Sequence, residues 1–205
     1  EAIPLTGTIV SGTYLLANQS TNVKNYTHGM FQSVYDYPYL SSSANHIFDI
    51  TVGVSADSAL SNSIMQQGKQ KIQLYNQMAQ ILVGHDATGS IRPFDADGDL
   101  SSGAKFKDAV FFNFSRLLVK DEVQKGTFRM NFSVDPTGTY AQQAQTNRVL
   151  VIEDQSGSTS FKTNSPAGEY GILFVTSSQS GTLNTPLALN SGHPCGLIYY
   201  QAGIA

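Results

Sequence analysis

Three carboxylates at alternate positions, Asp95-Ala96-Asp97-Gly98-Asp99, stand in a loop-like stretch rich in Gly, Asp, Ser and Pro. Alternating acids open the loops that wrap calcium, because a hard cation takes several carboxylate and carbonyl oxygens at once. The twelve-residue helix-loop-helix pattern also asks for glycine sixth and glutamate twelfth. Here Gly98 stands fourth and Phe106 twelfth, so both requirements fail. The segment reads as a solvated turn, with a looser calcium or magnesium site as the alternative.

His193-Pro194-Cys195 places an imidazole close to the single thiol. A reactive thiol needs a cation or a helix N-terminus to favour the thiolate, and the sequence supplies neither. Cys195 therefore reads as a buried structural residue, and one cysteine excludes an intrachain disulfide. His28, His46, His85 and His193 are scattered, without the spacing of a zinc site. There is no G-x-S-x-G elbow and no phosphate-binding glycine loop. A Ser-His-Asp triad assembles in space, so sequence leaves it open. Glu122 and Glu153 are a weak pairing for glycoside cleavage, since no Trp is present to stack a sugar ring. Four Asn-x-Ser/Thr sites begin at Asn18, Asn25, Asn113 and Asn131, two of them inside expected core strands, where glycosylation is implausible. No catalytic residue, metal ligand or cofactor is assigned.

These groups sit in a β-dominated chain. The run Ala109 to Ser115, a charged excursion from Arg116 to Lys125, and the alternating Thr127 to Val134 read as strand, excursion, strand. Ile47 to Val54 is a further strand, with Phe48, Ile50, Val52 and Val54 expected on the buried face. Ser55 or Asp57 would cap an amphipathic helix over about 57–83. Its stripe is Ile64, Met65, Ile72, Tyr75, Met78, Ala79 and Leu82, and Gly84 stops it. Its other face, with Gln66, Gln67, Lys69, Gln70, Gln73 and Gln77, is nearly uncharged. Arg148 to Glu153, Tyr170 to Thr176, a weak Thr182 to Leu189 and Gly196 to Ile204 complete the strands. The whole predicts an α+β fold, an antiparallel sandwich-like body with one helix and an irregular N-terminal arm. The expected division is an extended arm over 1–45, an α+β body over 46–135 and a β-rich part over 136–205, the last either a continuation of the same sandwich or a piece cut at its end.

At 205 residues the chain can bury a sizeable core. Charged residues are 13%, about half the roughly 25% usual for soluble domains, and the net charge of -3 gives no attraction to nucleic acid or an anionic membrane. No apolar run approaches the roughly 20 residues of a membrane helix. A surface of Ser, Thr, Asn and Gln is easily desolvated, which suits side-by-side assembly. The tyrosines of Tyr35-Asp36-Tyr37-Pro38-Tyr39 offer large contact area at low entropic cost.

The segment Phe112 to Asp121, followed by Lys125-Gly126-Thr127-Phe128, resembles one in virion structural proteins of large contractile-tailed phages of marine and cyanobacteria. Gly196 to Ala205 is similar to a second segment of those proteins, where the strand continues, which implies a chain cut at its end. The resemblance implies a non-enzymatic tail, baseplate or neck subunit of a virion assembled in the host cytoplasm. Its partners would be copies of itself and other virion proteins, with no nucleic acid, membrane or small-molecule substrate. Tyr35, Tyr37 and Tyr39 would then anchor neighbours, while Arg116, Lys120, Asp121 and Lys125 set register by ion pairs at the rim. The alternative is an extracellular carbohydrate-binding or hydrolytic β-sandwich domain.

Overall fold

The computed structural model describes residues 2–3, 22–61, 68–114, 121–133, 149–176 and 192–205. They form an α+β fold dominated by two antiparallel sheets. The first sheet is a meander of β2 (Val23–Asn25), β3 (Gln32–Tyr35), β4 (His46–Val54) and β5 (Asp108–Asn113). The second joins β7 (Arg129–Ser133), β8 (Val149–Glu153), β10 (Gly168–Val175) and β11 (Pro194–Tyr199) in the order β11-β10-β8-β7, with β9 (Lys162–Ser165) also pairing β10. Two short strands, β1 (Ala2–Ile3) and β6 (Glu122–Val123), pair in parallel.

The strand-excursion-strand unit is not a hairpin. β5 pairs β4 in the first sheet and β7 pairs β8 in the second, so the two limbs face each other across the core. Their aromatic residues meet there: Phe112 lies 5.6 Å from Phe132, and Phe114 lies 6.1 Å from Phe128, ring centre to ring centre. Val34 and Phe48 add to this layer from the first sheet, Leu173 and Ile198 from the second. The C-terminus closes the sandwich. After β11 the chain turns, and Ala205 exchanges both backbone hydrogen bonds with Phe112 at the edge of β5 (2.8 and 3.0 Å). The last expected strand thus ends at Tyr199, and its tail changes sheet. The cluster around Phe112 draws on both of the expected parts, with Phe48 and Phe128 from the first and Leu173 and Ile198 from the second.

Part of the expected irregular arm is also sheet. β2 and β3 form a hairpin on β4, with Val34 opposite Phe48 and only 5% exposed. Tyrosine, serine and proline around the hairpin obscured its short alternation. The weak strand expected at 182–189 lies outside the described residues.

Alternation on β4 held only in part, because both of its faces are covered. Phe48 enters the core, but Val52 is 41% exposed while Ile47, Asp49 and Gly53 are buried. The covering element is α1 (Gly68–Leu82), which buries Tyr75, Ala79 and Leu82 and leaves Lys69, Gln70, Gln73 and Gln77 outside. Each large side chain of that stripe contributes about 2 kcal/mol by burial. Gly53 permits the close approach: a Cβ there would lie 3.0 Å from the Tyr75 Cα. Gly84, at φ +83, stops the helix as expected. Its start differs. Residues 59–61 form a 3-10 turn, and Ser58, not Ser55 or Asp57, caps that turn by accepting from the Leu60 amide (3.0 Å). Ile64, Met65, Gln66 and Gln67 lie outside the described residues. A second, short helix, α2 (Gly157–Ser160), had no signal in the sequence.

Candidate functional site

Residues 36–45, between β3 and β4, form a clasped loop. Asp36 accepts from the Asn45 backbone amide (2.6 Å) and side-chain amide (2.9 Å), so the loop ends are held together. Burial works against the Asp36 carboxylate, but these hydrogen bonds outweigh it and hold its pKa below the ordinary value. Beneath the loop, the Tyr35 ring stands edge-on to His46 at 5.5 Å and tilted to Tyr39 at 6.3 Å. Tyr35 and Tyr39 are half-buried, whereas Tyr37 is 51% exposed. Of the three expected anchors, Tyr37 is the exposed one, and Tyr35 and Tyr39 pack against each other. Leu40, 87% exposed, was missed by the sequence reading. The signal available was a large apolar residue followed by three serines.

Of the charged excursion, Asp121 to Lys125 are described. Lys125 lies between Glu122 (2.9 Å) and Glu169 (2.7 Å), with its ammonium over the Phe161 and Tyr200 rings. It ties β6 to β10 within the chain. Asp121 is exposed, while Arg116 and Lys120 lie outside the described residues. Glu122 and Glu153 do not converge as a glycosidase pair would: one binds Lys125, the other Arg129 (3.1 Å).

A serine, an aspartate and a histidine do come together inside the first sheet. Asp49 Oδ1 accepts from Ser33 Oγ (2.5 Å) and lies 2.8 Å from His46 Nε2. The order is wrong for a triad, which needs histidine between serine and acid. Ser33 is also fully buried and takes no substrate. The trio is a polar lock across β3 and β4. Cys195 is held similarly: its thiol donates to Leu173 O (3.4 Å), and burial raises its pKa to about 11. It lines an apolar cavity of about 400 Å³ between the sheets, with Phe112, Met130, Phe132 and Ile152. No activated nucleophile occurs among the described residues of that cavity.

The acidic loop departs most from expectation. Asp95 and Lys105 bridge at its base, and Ala96 N–H donates to Ala104 O (2.9 Å). Asp95 is not solvated but 0% exposed, while Asp97 and Asp99 are exposed. One oxygen from each of the three carboxylates lies within 4.8 Å of the others. Lys105 Nζ reaches Asp95 Oδ2 (2.7 Å), yet Oδ1 is buried with no donor at bonding geometry. Burial works against the charged form of Asp95, but the Lys105 hydrogen bond leads the contacts that outweigh it and lower its pKa. The glycine missing at the sixth position is replaced in conformation: Leu100 itself adopts φ 60. Tyr170 Oη and Asn164 Nδ2 hold the loop from outside, at Gly98 O (2.8 Å) and Asp99 O (3.2 Å).

No protein-family model matches this chain, and neither a curated protein nor a solved structure does.

Proposed function

We propose that the protein is a non-enzymatic structural subunit of a tailed-phage particle, in its tail, baseplate or neck. It would act in the virion, assembled in the host cytoplasm, through contacts with copies of itself and other virion proteins. The observation that carries this reading is the clasped loop over residues 36–45. It offers Tyr37 and Leu40 to solvent while Tyr35 and Tyr39 pack against each other, the kind of preordered apolar anchor that interfaces use. The sequence resemblance of residues 112–128 and 196–205 to virion structural proteins supports it. So does the internal use of Lys125, Asp49 and Cys195, which are engaged in holding the fold.

Residues 23–25 and 32–35 are strands of the first sheet, so removing the arm is no test of this reading. Point changes at the loop tip are. Tyr37→Ser with Leu40→Ser should alter stability by no more than about 0.5 kcal/mol. The same pair should weaken self-association, or capture by purified tail components, at least about tenfold. Light-scattering mass and sedimentation of the two proteins make the comparison. Unchanged association of a folded double variant would remove the loop from the interface.

A further inference from the structure

We propose that Asp95, Asp97 and Asp99 form a calcium site cradled by the loop from residue 95 to residue 105. The proposal is independent of any role in a virion. Three carboxylates converge with one ammonium to offset them, so the cluster keeps an excess of two negative charges. Acidic groups on a surface usually relieve such crowding by turning to water. Asp95 has no such route, because it is fully buried. The side chain and amide of Asp97 both face its carboxylate, but Oδ1 receives no hydrogen bond of proper geometry. A fully buried carboxylate with one oxygen left without a hydrogen bond, grouped with two further carboxylates, is the environment a cation completes.

The chemistry favours calcium. The donors are all hard oxygens, and among the described residues no histidine or thiolate joins the cluster. Calcium accepts irregular coordination of six to eight oxygens, whereas magnesium demands near-ideal octahedral geometry and sheds water reluctantly. A loop with three carboxylates and exposed flanks suits the first ion. Phe106 replaces the bidentate glutamate of the helix-loop-helix sites, so the ion would keep several waters. Affinity should therefore be weak, with Kd on the order of 10⁻⁴–10⁻³ M. Lys105 occupies only Oδ2, and its ammonium can stay there while Oδ1 takes the ion.

The test uses the full chain stripped with EDTA, then titrated with calcium chloride. About 5 mM calcium should raise Tm by roughly 3–8 °C. Terbium should bind with tyrosine-sensitised emission, since the Tyr170 hydroxyl sits on the loop at Gly98. Asp97→Asn with Asp99→Asn changes only exposed side chains, so the variant should fold, as circular dichroism will show. It should lose both responses, and in EDTA it should melt at or above the parent because repulsion is relieved. No calcium-dependent shift and no terbium emission in the parent would overturn the proposal. So would a full calcium response in the double variant, and an equal response to magnesium would overturn the choice of ion.

Discussion

Asp95 and Asp154 are almost equally hidden, at 0% and 2% exposed, yet their surroundings differ in kind. Asp154 follows β8 and accepts from the Tyr200 hydroxyl (2.8 Å) and the Gly126 amide (2.8 Å). Both donors are neutral and come from the body of the fold. Its other oxygen lies against backbone: a Cβ built on Gly171 would be 2.9 Å from Oδ1 and would run into the Tyr200 hydroxyl. That oxygen is also buried without a hydrogen bond, but it is crowded by the Gly157 and Gly171 backbone and no second carboxylate is grouped with it among the described residues. Asp95 instead sits in a loop, faces a lysine and two further carboxylates, and opens toward solvent through Asp97 and Asp99. Burial alone therefore does not tell a structural acid from a candidate ligand. The kind of donor and the space beside the second oxygen do.

The contrast can be broken at Gly171. Gly171→Ala should cost about 3 kcal/mol, because the added methyl has no space between Asp154 and Tyr200 in a strand interior. Urea denaturation measures it, and a cost below about 1 kcal/mol would mean that the Asp154 pocket is looser than drawn. Lys105→Met should cost less, about 2 kcal/mol, since it strands a buried carboxylate at a site that is partly open. If the acidic loop takes calcium, part of that loss should return at 5 mM calcium, whereas the Gly171 variant should show no such rescue. The smallest effect concerns the contact loop. Asp36 has a folded pKa below its ordinary 3.8, so its contribution is present above about pH 4 and fades as pH falls through the lowered value. Amide exchange in residues 36–45 should then rise more at pH 3 than exchange in β4.

Residue types and spacing by themselves determined the β-dominated α+β class, the apolar stripe of α1 with its stop at Gly84, and most strand positions. They did so because hydrophobic periodicity is a local property, set by which face each residue presents. They also brought Cys195 and the three aspartates to notice. Partnership between strands was not legible. β5 and β7 are neighbours in sequence but opposite layers in space, since pairing is chosen by the global fit of two faces. For the same reason the place of Lys125 between Glu122 and Glu169 was not legible. Whether Asp95 is washed by water or sealed beneath its loop depended on Lys105 and Tyr170, ten and 75 positions away. Only folding brings such distant groups within a few ångströms, and at that range dielectric and hydrogen bonding decide what a carboxylate can do.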